Sequence, residues 1–480
     1  MKLKELLNHV EVLETNADPE LEISGVNYDS RKVASGDLFI AICGFAVDGH
    51  KFIPMAFDKG AAAVLCEKAP ESGTFVRVAD TRNAMALVAA NWFAHPAKQM
   101  KMIGVTGTNG KTTVTTVLKS VLETAIGAKV GLIGTIQNMI GDEVLYTERT
   151  TPESFELQKL LRQMADAGCT HVIMEVSSHA IALDRVGGMH FDVGAFTNLT
   201  EDHLDFHKTM DAYAETKAEL FARCDAGVIN IDDEYAQLMC GRATCRVCTT
   251  AVKQKADLYA ENVELASDHV AFDVVCEGQR ERVYLAIPGG FTVYNTLTVI
   301  GCARYLGLDL AQILSALRVS GSVKGRVEVV PTPGTDYTVL IDYAHTPDAL
   351  ENVLQSVQGY CKGRVIAVFG CGGDRDPIKR PIMGRIGVEN ADFAVITSDN
   401  PRTEDPMKII EDILEGVKDL GKPYEVICDR RAAIRWAMDH AEKDDIIVLA
   451  GKGHETYQTI GTENFHLDER EEVAAHLNKR

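Results

Sequence analysis

No apolar run in the 480 residues approaches the roughly 18 that a membrane-spanning helix requires. The N-terminal stretch, Met1-Lys-Leu-Lys-Glu-Leu-Leu, turns acidic at once and lacks the pattern of an export signal. These absences lead us to expect a cytoplasmic protein with no membrane partner. Positive charge is also short, with 49 Lys and Arg against 69 Asp and Glu, a formal net charge of −20. That balance argues against nucleic acid, whose phosphate backbone demands clustered Lys and Arg. Small anionic substrates stay open, because a local cluster of cations and helix N-termini can hold them despite the global sign. No repeats or low-complexity tracts stand out.

What is present reads as an ordinary globular chain, 46% hydrophobic and 25% charged. It is too long for a single core and suggests about three domains. Its 12 cysteines are scattered. Cys240, Cys245 and Cys248 share a spacing that some iron–sulfur proteins use, but a fourth ligand would have to come from far away and the segment continues as a strand-like Arg246-Val-Cys-Thr-Thr-Ala-Val. Plain packing is the expectation for them.

Three α/β blocks emerge, at residues 1–98, 99–330 and 331–480. The first mixes short strands (Leu38-Phe-Ile-Ala-Ile, Ala62-Ala-Val-Leu) with a helix over Asn83 to Phe93, which His95-Pro96 breaks. The second opens on the strand Lys101-Met-Ile-Gly-Val-Thr. Its continuous apolar runs, such as His171-Val-Ile-Met-Glu-Val and Ala226-Gly-Val-Ile-Asn-Ile, predict a parallel sheet covered on both faces. In the third, the strands Thr338–Asp342, Arg364–Gly370, Phe393–Thr397 and Asp445–Gly451 alternate with helical segments, a Rossmann-like pattern.

The strongest single motif is Gly107-Thr-Asn-Gly-Lys-Thr-Thr113, directly after a predicted strand and directly before a predicted helix from Val114 to Ala125. Backbone N–H groups at such a turn cradle polyphosphate, Lys111 would reach the β and γ phosphates, and the Thr112 hydroxyl would meet Mg²⁺. Val105 stands where the general phosphate-loop pattern has its first glycine. Glu175 ends an apolar strand and precedes Ser177-Ser178-His179; a carboxylate there, opposite a phosphate loop, is placed to hold Mg²⁺. Lys217 lies in Asp211-Ala-Tyr-Ala-Glu-Thr-Lys-Ala-Glu-Leu-Phe221, where helical spacing puts it on one face with Tyr213, Leu220 and Phe221. A lysine in an apolar stripe either snorkels to water or does chemistry.

The loop Gly107-Thr-Asn-Gly-Lys-Thr-Thr113 resembles that of the Mur ligase family, relatives of folylpolyglutamate synthetase, and further family-like motifs follow in all three blocks. The resemblance implies an ATP-dependent ligase that activates a carboxylate as an acyl phosphate and couples it to an amine in cell-wall precursor synthesis. It implies a uridine-binding N-terminal domain, a central P-loop ATPase-like domain and a C-terminal amino-acid-binding domain. It also implies catalytic roles for Lys111, Glu175, His203 and Lys217. Magnesium would be held by Thr112, Glu175, His203 and Lys217, the last carbamylated to N6-carboxylysine; burial favours this by freeing the neutral amine for CO₂. ATP would contact Gly107, Thr108, Asn109, Gly110, Lys111, Thr112, Thr113, Asn295, Arg326 and Asp342, with Asn230-Ile-Asp-Asp233 and His345 nearby.

The string Asp399-Asn400-Pro401-Arg402 looks like the family's diaminopimelate signature. The physics agrees, since Arg402 could grip the distal carboxylate of diaminopimelate bidentately and would repel the terminal ammonium of lysine. Arg375, Gly451 and Glu455 resemble the other amino-acid contacts, with Glu455 on the distal ammonium. Ser30 resembles a uridine-domain residue, and Thr150, Thr151, Ser177 and Arg185 would hold the peptide of a UDP-muramoyl dipeptide. The resemblance thus implies ATP, the dipeptide and meso-diaminopimelate as substrates, with Mg²⁺, for a monomer. Rival readings are a lysine-adding ligase, a folate or other glutamate ligase, a P-loop kinase or simple NTPase, and a non-catalytic UDP-sugar sensor.

Overall fold

The computed structural model describes residues 1–44, 47–147 and 149–478. Each of the three blocks builds its own sheet. In the first, the strands run Glu14–Thr15, Phe75–Arg77, Ala63–Cys66, Asp37–Ile40, Gly25–Asn27 across the sheet, all parallel except the first. The predicted helix is Thr81–Trp92, capped by Asp80, which accepts from the N–H groups of Arg82 and Asn83. It ends as foreseen before Pro96, with Ala94 and His95 both in the left-handed region.

The middle unit holds an 11-stranded sheet. At its centre lies Lys101–Thr106, flanked by Phe191–Phe196 on one side and His171–Glu175 on the other, all parallel. Ile103, Val105, Val114, Val117 and Leu118 are buried between this sheet and the helix Lys111–Ile126. Each such aliphatic side chain contributes about 1.5–3 kcal/mol by leaving water. The parallel reading holds for the core but not for the edges. Antiparallel ribbons extend the sheet at both sides, Asn138–Ile140 with Glu143–Leu145, and Leu258–Leu265 through Gln279–Leu285. Their side chains alternate in exposure along Leu258–Ala260 and Val274–Cys276, as expected where one face meets water.

The third unit is a six-stranded sheet, parallel apart from its edge strand Glu328–Val330. A separate hairpin, Tyr457–Ile460 with Glu463–His466, and the helix Glu469–Leu477 complete it. That helix is fixed by an enclosed ion pair, Arg430 to Glu469 at 2.8 Å. The first two units meet where the Phe93 and Phe155 rings lie 5.2 Å apart. The second and third are joined through the linker at Lys324-Gly-Arg-Val. Gly325 is needed there: its φ is +67°, and a Cβ would collide with the backbone of Gly453 and His454.

Candidate active site

Parallel strands bring their C-terminal ends to one edge, and this register gathers the predicted residues. Glu175 is paired with Val105 and Phe196 with Thr106, so all three strands end around the loop 107–110. The loop feeds straight into the helix Lys111–Ile126, aiming N–H groups and a helix N-terminus at one point. Gly110, at φ +85°, allows this turn, and Asn295 presses so closely on it that no Cβ would fit. Asn198 closes the other side, accepting from the Asn109 N–H at 3.0 Å and, through its carbonyl, from Thr108 N at 2.8 Å.

Glu175 is 1% exposed. Its Oε1 accepts from the Thr112 hydroxyl at 3.0 Å and the Thr135 N–H at 2.9 Å, and its Oε2 accepts from the Thr135 hydroxyl at 3.0 Å. Thr135 went unnoticed in the sequence, although it too follows a strand, Val130–Ile133. Lys111 Nζ donates to the carbonyls of Gly107 (2.8 Å) and Thr108 (2.7 Å). Lys217 Nζ donates to the same Gly107 carbonyl at 2.9 Å. Lys217 is 1% exposed, and burial together with the nearby Lys111 cation pushes its amine well below the usual lysine value. The apolar stripe is real: Lys217 Nζ lies 4.6 Å from the Tyr213 ring centre. The α-helix there is shorter than expected, Met210–Ala218, and tightens into a 3-10 turn over Glu219–Arg223.

His203 is half-exposed, with its ring 4.9 Å from that of His179 and 3.4 Å from Asp202. Thr112 and Glu175 offer hard oxygen atoms that suit Mg²⁺. Lys217 as an amine does not; as a carbamate it would. Among the described residues no three His, Cys, Asp or Glu side chains form a metal-binding group, and that covers Cys240, Cys245 and Cys248.

Beside this centre runs a cavity of about 590 Å³ lined by Asn109, Gly110, Thr113, Asn295, Arg326 and Asp342 among others. Asn295 is buried on the helix Gly290–Tyr305. Asp342 accepts from the N–H groups of Val327 and Ala344, both at 2.8 Å; burial raises its carboxyl pKa while Arg326 holds it down. Arg326 reaches the Thr112 hydroxyl at 3.4 Å. Asp348, overlooked in the sequence, crosses between units to accept from Asn109 Nδ2 (3.1 Å) and Thr200 Oγ (3.0 Å).

Thr150, Thr151, Ser177 and Arg185 come together next to Glu175. The Thr151 hydroxyl donates to the Glu175 carbonyl at 2.8 Å and lies 3.5 Å from the Ser177 hydroxyl; Arg185 donates to the Thr151 carbonyl at 3.0 Å. Thr150 meets Thr135 at 3.0 Å. Ser30 is buried in the first unit, two residues past Tyr28, whose hydroxyl pKa is pushed up by burial and by the carboxylates of Glu156 and Glu153; Glu153 pairs with Arg185 at 2.9 Å.

In the third unit, Asp399 and Asn400 are buried just past the strand Phe393–Ile396. Arg402 sits in the left-handed region at φ +51° and donates to the Gly373 carbonyl at 2.8 Å. Asn400 Nδ2 donates to Glu455 at 2.9 Å, and Asp399 lies against Gly451. Arg375 is exposed and bonds to the Asp374 carbonyl.

Comparison with known proteins covers nearly the whole chain. The family descriptions "Mur ligase family, catalytic domain", "Mur ligase middle domain" and "Mur ligase, glutamate ligase domain" match residues 22–102, 105–303 and 325–453. The UDP-N-acetylmuramoyl-L-alanyl-D-glutamate--2,6-diaminopimelate ligases of Clostridium botulinum and Clostridium tetani are each 48% identical. The alignments cover 94% of both chains for the first and 98% of both for the second. A solved structure of a ligase with that same name superposes with a TM-score of 0.76 at 32% identity, covering 100% of this chain and 99% of the other.

Proposed function

The chain belongs to the Mur ligase family, and from that premise we propose that it couples meso-2,6-diaminopimelate to UDP-N-acetylmuramoyl-L-alanyl-D-glutamate at the expense of ATP. Residues 1–98 take the UDP end, 99–330 the nucleotide and 331–480 the incoming amino acid, in a cytoplasmic monomer. The observation that carries this reading is the linker. Arg326 touches the phosphate loop at Thr112, while the preceding Gly325 lies against the loop 451–455. One short segment therefore couples a polyphosphate cradle to a pocket of paired charges.

A carboxylate is a poor electrophile and must be activated before an amine can displace anything from it. The glutamate side-chain carboxylate attacks the γ phosphorus, ADP leaves, and an acyl phosphate forms. The amine of diaminopimelate then attacks the acyl carbon, phosphate departs with one former carboxylate oxygen, and the amine loses a proton. Lys111 exchanges its loop carbonyls for phosphate oxygens and spreads the charge of the transferring group. Thr151 and Arg185 orient the peptide beside Glu175, and Asn295 and Asp342 hold the nucleoside. Thr112, Glu175, His203 and a carbamylated Lys217 would hold magnesium, which would supply charge neutralisation at the transferring phosphate. Much of the catalysis is positioning of three substrates in one cleft.

Incubation with the UDP-muramoyl dipeptide, ATP, Mg²⁺ and a panel of amino acids tests the reading. Diaminopimelate should give the tripeptide. Equal use of lysine would remove the role given to Arg402, and glutamate addition would place the chain among the glutamate ligases.

A further inference from the structure

Between Gly451 and Glu455, both given to the amino-acid pocket, stands a lysine whose side chain is fully enclosed, at 0% exposure. Lysine is almost never buried so completely unless paired. Lys452 Nζ donates to Glu455 Oε2 at 3.0 Å and to Asn400 Oδ1 at 3.1 Å. Asn400 completes a ring by donating its Nδ2 to the same Glu455 oxygen at 2.9 Å. Its Oδ1 also accepts from the Thr459 N–H at 2.9 Å, and the Thr459 carbonyl accepts from the N–H of Arg402 at 3.1 Å. The ring therefore contains Glu455 and, through Thr459, is tied to the backbone of Arg402, the two residues assigned to the distal end of the amino acid.

Charge, rather than stapling alone, gives this ring a function. Arg375 is exposed and screened by water; of the remaining groups, Asp399 and Glu455 carry one negative charge each and Arg402 and Lys452 one positive charge each, so these four cancel. The distal end of diaminopimelate bears an ammonium and a carboxylate and is likewise neutral. The end of lysine bears only the ammonium. In a poorly solvated pocket an unmatched unit of charge is felt strongly. The geometry points to Lys452 as a specificity-determining residue: by cancelling Glu455 it keeps the pocket neutral, which favours a zwitterionic amino-acid end over a purely cationic one. This rests on the proposed reading of the pocket and adds a second cation to the discrimination already given to Arg402.

The test is the ratio of kcat/KM for meso-diaminopimelate to that for L-lysine, in which the concentration of folded enzyme cancels. Lys452→Gln keeps a donor for Asn400 and Glu455 but removes the charge, and it should lower the ratio about tenfold. Lys452→Arg keeps the charge and should hold the wild-type ratio even where absolute rates fall. A Lys452→Gln ratio equal to wild type, or a Lys452→Arg ratio as low as that of Lys452→Gln, overturns the inference. If Lys452→Gln does not fold, Lys452→Met, which also removes the charge, takes its place and should lower the ratio by the same factor, and a wild-type ratio in it overturns the inference. Wild-type protein that uses neither amino acid overturns the proposed function and this inference together. Wild-type protein that prefers diaminopimelate, with Lys452→Gln preferring it equally, sinks the role of Lys452 alone.

Discussion

The middle and third units both draw lysine amines away from water, but they satisfy them differently. In the middle unit Lys111 and Lys217 converge on one neutral acceptor, the Gly107 carbonyl. Burial drives Lys217 toward the neutral amine, Arg326 adds a cation beside Lys111, and the enclosed carboxylates Glu175 and Asp342 lie nearby without bonding to either lysine. In the third unit Lys452 is matched at once by Glu455, and Arg430 by Glu469. A lysine held only by neutral carbonyls is free to turn to an incoming anion, whereas a lysine already matched by a carboxylate belongs to a balanced set that suits a neutral zwitterion. On the proposed function, the same residue type serves a polyphosphate in one unit and an amino acid in the other.

The contrast can be broken most severely at Lys111. Lys111→Ala should cut ADP formation by about a thousandfold while leaving the melting temperature near wild type, because the lost cation had no carboxylate bonded to it. Loss of folding together with activity would contradict the picture of a lysine held by carbonyls alone. The opposite behaviour is expected in the third unit. Glu469→Ala strands the enclosed Arg430 charge and should cost about 3–5 kcal/mol in denaturant unfolding; a cost under about 1 kcal/mol would show that the pair is not balancing anything. Arg402→Ala should reduce kcat/KM for diaminopimelate by about a hundredfold, the worth of a charge-assisted pair, with little change in the KM for ATP. The smallest effect on stability is expected at Lys217. Lys217→Met removes a desolvated amine from beside Tyr213 and should leave unfolding free energy unchanged or raise it by about 1 kcal/mol, although ligase activity is lost. Labelled bicarbonate should be taken up by wild-type protein and not by this variant.

What could be read from the sequence followed how local each feature is. The phosphate loop, Glu175 and Lys217 lie in segments whose own pattern states their geometry: strand then glycine turn then helix, an apolar run ending in an acid, a lysine in an apolar helical stripe. The parallel core was legible for the same reason. The antiparallel ribbons at the sheet edges were not, because half-exposed strands such as Gln279–Leu285 carry charged side chains and lack the continuous apolar signal. Lys452 was passed over between two glycines, since its meaning comes from Asn400, 52 residues away. Asp348 likewise gains its role only from Asn109, across 239 residues. Contacts that depend on two loops folding against each other leave no period in the chain.

The most direct test of the central claim follows an oxygen atom. With both side-chain carboxylate oxygens of the D-glutamate isotopically labelled, and with ATP, Mg²⁺ and diaminopimelate supplied, the released phosphate should carry one labelled oxygen for each amide formed, with ADP in equal amount. Label retained wholly in the peptide, or phosphate released without the lengthened peptide, would contradict the account.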